Sequence, residues 1–238
     1  KYFIYSSLIP ILTNSCVEKP TRYQENLVIN KVKPVDISLE DIQFNGDPGL
    51  FSIEKSMTLE EEGVQVFTFK FTSPSPAELQ PLSIQFKFPS VDVSGFWNPR
   101  ISVDKVNFYS SSVSSKASNN APILSFYSNA LQNRLTIALS DALNMAEIRS
   151  YLKEEDVHFH PTIKLFNEKM PKTTSYTIKL RLDSRDLPYY ETIDDVASWW
   201  AKDPKYKPMH VPQNAKRPMY STWYSYHQNV SKEAIIAE

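Results

Sequence analysis

Apolar and polar residues alternate with a period of two along most of the chain. The clearest run is 82–88, where Leu82, Ile84, Phe86 and Phe88 are interleaved with Ser83, Gln85 and Lys87. Such alternation puts one face of a strand in a core and the other in solvent. Residues 51–57 repeat the pattern. Residues 64–71 carry it with one break of phase, Val64 and Val66 sharing a face with Phe67 or Phe69. Residues 101–108 carry it with a slip at Lys105, and 28–32 more weakly. Further strands are expected at 122–127, 135–139, 157–166 and 174–182. Turn chemistry separates them: Asn45-Gly46-Asp47-Pro48-Gly49, Ser73-Pro74-Ser75-Pro76, and the stretch 110–120. The serine-rich run 110–118 reads as an exposed loop. Many strands punctuated this way predict a mainly β chain, with one antiparallel β-sandwich over 25–186.

The period changes after Leu187-Pro188. Ile193, Val196, Ala197 and Trp200 fall on one face of a helix expected within 189–203. Asp194 and Asp195 lie toward its N-terminal half, where the helix dipole favours them. Pro204, Pro208 and Pro212 then mark an extended connector, so 187–217 reads as linking helix plus connector. Aromatic β-formers follow, predicting an extended segment at 220–224. After a polar turn, 231–238 reads as a helix, with Asn229 or Ser231 able to cap it. That helix carries no stop signal. A strand handing directly to such a helix reads as the first βα unit, 218–238, of a second domain. The expectation is the front part of a longer protein.

The beginning of the chain has a different pattern. Lys1 precedes a short apolar run through Leu8, Ile9, Ile11 and Leu12, which ends at Asn14-Ser15-Cys16. A basic start, a short apolar core and a small residue before the cut describe a secretory signal over 1–16. The run is too short to span a bilayer. Leu12-Thr13-Asn14-Ser15-Cys16 resembles a loose lipobox in which Leu12 stands one residue early. Cys16 then becomes a candidate lipidation site, and 17–24 a polar tether. The expectation is export to a bacterial periplasm or outer membrane, with membrane contact only through that lipid anchor. The alternative is a buried strand with an incidental thiol. Cys16 is the single cysteine, so no internal disulfide can form. Formal net charge is -1, with acidic and basic residues interspersed. No basic block lies beside aromatics, which excludes a nucleic-acid partner.

Arg217-Pro218-Met219-Tyr220-Ser221-Thr222-Trp223-Tyr224-Ser225-Tyr226-His227-Gln228, together with Tyr189-Tyr190-Glu191 and Trp199-Trp200, resembles the junction in bacterial α-galactosidases of glycoside hydrolase family 36. There an N-terminal β-supersandwich precedes a (β/α)8 catalytic barrel. The motif-level likeness covers about the last fifty residues; the sandwich agrees in architecture. The resemblance implies that Pro218 to Ser225 is the first barrel strand and that the segment from Lys232 on is the first barrel helix. It implies a full-length enzyme that cleaves terminal α-galactosides with retention and needs no cofactor and no metal. It places Trp223 in the galactose-binding subsite.

Trp223 also has a physical case. Barrel sites lie at the C-terminal ends of strands. A tryptophan there stacks on the apolar face of a sugar while its N–H donates a hydrogen bond. Tyr224, Tyr226 and His227 are weaker candidates, because successive strand residues point in opposite directions. His158 and His160 flank Phe159 and share a face, a spacing that zinc could use, but no third ligand is marked. A structural pair is the simpler reading. Trp97 reads as a packing plug rather than a site rim. Asp194 and Asp195 diverge by about a hundred degrees on a helix and form no catalytic pair. A retaining glycosidase needs two carboxylates about 5 Å apart. In the resembled family both are aspartates on later barrel strands, so no catalytic residue is assigned here. The rival reading is a non-catalytic carbohydrate-binding β-sandwich on a surface lipoprotein. A further reading is another hydrolase of sandwich-plus-barrel layout.

Overall fold

Phe67, Phe69 and Phe71 are fully buried rings spaced by two along one strand. They fix which face of that strand turns inward, and the rest of the fold is built against them. The computed structural model describes residues 33–99, 110–114, 120–206, 210–217, 227–229 and 231–237. Among these, the chain is mainly β, with strands in two antiparallel sheets. The described residues from Pro34 onward belong to one unit.

The first sheet holds β1 (Gln43–Asn45), β4 (Leu82–Gln85), β5 (Phe88–Pro89), β7 (Ser110–Ser114), β10 (Ala146–Lys153), β11 (His158–Phe159) and β12 (Thr162–Leu165). Its order is β1-β4-β12-β10-β11-β5, with β7 also pairing β10. The run 82–88 expected as one strand appears as β4 and β5, and 157–166 as β11 and β12. The pieces keep one register: Leu82 pairs with Leu165, and Phe88 with Phe159. The ladder is interrupted at Pro161, which has no N–H to give. Its carbonyl still accepts from the Phe86 N–H at 3.4 Å.

The second sheet runs β2 (Ser52–Glu61), β3 (Val64–Ala77), β13 (Thr173–Asp183), β9 (Asn133–Leu139), β8 (Ile123–Tyr127), β6 (Gly95–Trp97). Gly95 sits opposite Tyr127 in the last pair. A Cβ at Gly95 would lie 2.9 Å from the Tyr127 ring, so the position has no room for a side chain.

The two sheets pack face to face around one core. Rings from opposite sheets meet at both margins. Phe44 of β1 contacts Phe69 edge-on at 5.1 Å. Phe88 of β5 and Phe159 of β11 meet Phe126 of β8 at 5.0 and 4.9 Å. Offset and edge-to-face geometry of this kind adds to the burial of each ring.

Two expectations need correction. The start of the serine-rich run is a strand, not a loop: Ser110–Ser114 forms β7, paired to β10 from Glu147 to Tyr151. Its single apolar residue, Val113, is buried, and that anchors the segment. The helix α1 (Tyr189–Ala201) lies where expected and packs through Ile193, Val196 and Trp200, but Thr192 is buried as well, while Ala197 is exposed. A hydroxyl on the outer surface of the second sheet accepts Thr192 as a partner, as described below.

After α1 come 3-10 turns at Pro204–Tyr206 and Gln213–Lys216 and a short helix, α2 (Lys232–Ala237). Ser231 starts α2: its Oγ accepts from the Ala234 N–H at 3.1 Å. The expected strands at 28–32, 101–108 and 220–224 lie outside the described residues. Among the described residues, no helix is long and apolar enough to cross a membrane.

Candidate functional site

The outer surface of the second sheet changes character along each strand. On β13, Ile178, Leu180 and Leu182 point into the sandwich core. The alternate residues point outward: Lys179 is exposed, while Arg181 and Asp183 are buried. The same holds for β9 and β8, where outward-facing Thr136, Ala138, Ile123 and Ser125 are all buried. The cover is α1. Ile123, Ala138 and Val196 form a second apolar cluster, joined by the half-buried Trp97, Ile193, Trp199 and Trp200. Trp97 is thus a packing residue beneath the helix.

Polar contacts hold α1 along its length. Thr136 Oγ1 lies 2.8 Å from Thr192 Oγ1, 2.8 Å from Ser125 Oγ and 2.9 Å from Asn133 Oδ1. Asn133 Nδ2 donates to the carbonyls of Asp183 and Arg185 at 2.8 and 3.1 Å. Near the start of the helix, the Tyr127 and Tyr189 rings stack at 4.5 Å. The Arg185 guanidinium binds Asp183, Asp195 and Glu61. The Asp183 carboxylate leads in raising the Arg185 pKa above its ordinary value, with Asp195 adding to it against the cost of burial. At the far end, the Trp200 indole N–H donates to the Leu139 carbonyl at 2.8 Å. The Tyr206 hydroxyl donates to the Ser140 carbonyl and accepts from the Ala142 N–H, both at 2.7 Å.

These last contacts frame a groove of about 440 Å³ between the end of α1 and β13. Trp199, Trp200 and Tyr206 form its aromatic side. Thr177, Lys179, Lys202, Lys205, Glu60 and Asp203 supply its polar and charged groups. Lys205 pairs with Asp203 at 3.4 Å, and Glu60 lies 3.7 Å from the Arg181 guanidinium. Among the described residues, neither the Lys179 nor the Lys202 ammonium has a carboxylate partner, and the Trp199 indole N–H has no acceptor. An open cleft of about 760 Å³ also lies between the loops at Gly49, Pro76 and Pro81, but no aromatic side chain lines it. The groove at Trp199 combines aromatic and charged side chains, whereas aliphatic and polar ones line the cleft.

The residues singled out from the sequence fall in different places. Cys16, Trp223, Tyr224 and Tyr226 lie outside the described residues. His227 is exposed, in a turn with φ 49°. His158 and His160 both turn toward Asp156. His160 Nε2 lies 3.0 Å from its carboxylate and His158 Nδ1 faces its carbonyl. The contact with His160 is the leading cause that lowers the Asp156 pKa. Among the described residues, no group of three or more His, Cys, Asp or Glu could hold a metal ion. Asp195 serves Arg185, and Asp194 is exposed. The sequence reading missed Lys179, Lys202 and Tyr206. No local pattern marks them, because they meet only once α1 docks on β9 beside β13.

Comparison with known proteins finds no family that matches the chain and no curated protein that matches it.

Proposed function

We propose that this chain supplies the N-terminal sandwich and linking helix of a retaining glycoside hydrolase acting on terminal α-galactosides. The observation that carries the reading is the order of its parts. A two-sheet antiparallel sandwich leads into a helix docked on one sheet, then a proline-punctuated connector, then the Arg217-to-Gln228 string. That order is the one the resemblance to glycoside hydrolase family 36 implies. In this reading Trp223 stacks on the galactose ring. The sandwich carries no chemistry; its helix holds the connector in place. No carboxylate of this chain is given a catalytic role. The substrate is an α-galactoside oligosaccharide, and the two-carboxylate mechanism calls for no cofactor.

The test is turnover by the full-length protein purified from its own host. It should release galactose from an aryl α-galactoside, and proton NMR should show the α-anomer first, as retention requires. A folded protein that binds galactosides without turnover would overturn the enzyme reading and leave the non-catalytic carbohydrate-binding sandwich. Release of the β-anomer first would overturn retention.

A further inference from the structure

We infer that the groove beside Trp199 binds an acidic saccharide, a pyranose ring carrying a carboxylate. The first argument is the aromatic wall. Trp199 is held by packing in the cluster around Ile123, Ala138 and Val196, so its ring is fixed in place. Its neighbours have already committed their polar atoms: the Trp200 N–H to Leu139, and the Tyr206 hydroxyl to Ser140 and Ala142. All three rings are half-buried, and among the described residues Trp199 is the one whose polar atom has no partner. The apolar C–H face and hydroxyl edge of a pyranose match that pair of features.

The second argument is charge. Lys205 is neutralised by Asp203, and Glu60 leans toward Arg181. Among the described residues, that leaves Lys179 on β13 and Lys202 just past α1 without a carboxylate partner on the same groove. Donors are in surplus there. A neutral sugar has nothing to set against two ammonium charges, whereas a carboxylate makes charge-assisted hydrogen bonds with them. The groove's size, about 440 Å³, falls in the range of small-molecule sites.

The experiment titrates the full chain with trigalacturonate, with methyl β-D-galactopyranoside as the neutral probe and triglutamate as the acidic peptide probe. Binding is read by calorimetry and by the indole N–H shift of Trp199. Trigalacturonate should shift that resonance and bind more tightly than either control by at least about tenfold, a difference of about 1.4 kcal/mol. Lys179→Glu and Lys202→Glu should each weaken it by a similar factor while leaving the melting temperature unchanged. Trp199→Ala should abolish it. Because Trp199 also packs, the two exposed lysine variants keep the test decisive if that variant unfolds. Absence of binding at tens of millimolar trigalacturonate overturns the inference. So does equal binding of the neutral sugar or of triglutamate, or binding that survives both lysine reversals. Hydrolysis plays no part in these readouts, so this outcome and that for the aryl α-galactoside are independent.

Discussion

The Trp200 indole N–H donates to the Leu139 carbonyl at 2.8 Å, tying the last turn of α1 to the end of β9. Trp200→Phe keeps most of the ring but leaves that carbonyl without its donor. The expected loss is about 1–3 kcal/mol, the usual cost of orphaning a partly buried polar group. Urea denaturation of the two proteins measures it. An unchanged midpoint would show that water replaces the indole without cost and that packing alone holds the helix.

Asp141 should make stability depend on acid. Burial pushes its carboxyl up, but hydrogen bonds from the Tyr176 hydroxyl, the Asn144 side chain and the N–H groups of Asn144 and Leu143 outweigh this and leave it below the ordinary value. Unfolded, the group titrates near about 3.9. Its contribution is therefore complete above that pH and is lost as pH falls through the lower folded value. Asp141→Asn should lower the urea midpoint at neutral pH, and the gap from the native protein should close in strong acid. A gap that stays constant with pH would assign the effect to lost geometry rather than charge. The Tyr176 hydroxyl is raised by burial first and by Asp141 second, so it stays a donor throughout this range.

Val157 is a β-branched residue at φ 55° and is 61% exposed. A left-handed backbone costs an L-residue about 1–2 kcal/mol, and Gly escapes that while losing about 0.5–1 kcal/mol of chain entropy. The backbone bonds there, from the Val157 N–H to Lys153 and from Ser90 to the Val157 carbonyl, survive substitution. Val157→Gly should therefore stabilise the fold by about 0.5–1 kcal/mol. Thermal melting checks the sign; a lower melting temperature would mean the exposed side chain makes a contact worth more than the strain.

Trp223 is the kinetic test of the proposed activity. Stacking and one hydrogen bond supply about 1–3 kcal/mol, so Trp223→Ala in the full-length enzyme should lower kcat/KM on an aryl α-galactoside by roughly ten- to hundredfold. Fold is checked in parallel by circular dichroism. Wild-type kinetics in a folded variant, or activity that falls only with the unfolded fraction, would return Trp223 to the core.

Cys16 carries the proposal of a lipid anchor. Cys16→Ser should release the protein from membranes or block its processing in a Gram-negative host. Mass spectrometry of the native protein should find a mature N-terminus at an acylated Cys16. An unmodified N-terminus upstream of that residue would rule the anchor out.

Much of the sandwich was legible because its core is aromatic and spaced by two. Ile178, Leu180 and Leu182 on β13 advertise one inward face. On β3 the phase was misplaced: Val64 and Val66 were expected beside Phe67 or Phe69, but the unbroken register with β13 puts them on the face opposite Phe67, Phe69 and Phe71. β10 was not legible. Its inward residues are Ala146, Ile148, Ser150 and Leu152, and small or polar side chains hide the alternation. β7 was hidden for the same reason, with one valine among serines. The outer surface of the second sheet could not be read from local pattern at all. Arg181 and Asp183 look like solvated residues in the sequence, yet both are buried and pair with one another. Burial of Thr192 in place of Ala197 depends on Thr136, 56 residues earlier. The groove is a still clearer case: Lys179 and Lys202 come from separate elements, and only the docking of α1 on β9, the neighbour of β13, brings them to one groove.

The fastening of α1 at both ends has a mechanical consequence. Arg185 grips it at Asp195, Trp200 grips it at Leu139, and Tyr206, in the 3-10 turn that follows, binds Ser140. The clasp fixes the point from which the chain after Tyr206 sets out, close to the end of β9. Anything the chain carries is thereby tethered to the sandwich by a short span, which raises its local concentration there. Tyr206→Phe should free that starting point without unfolding either sheet.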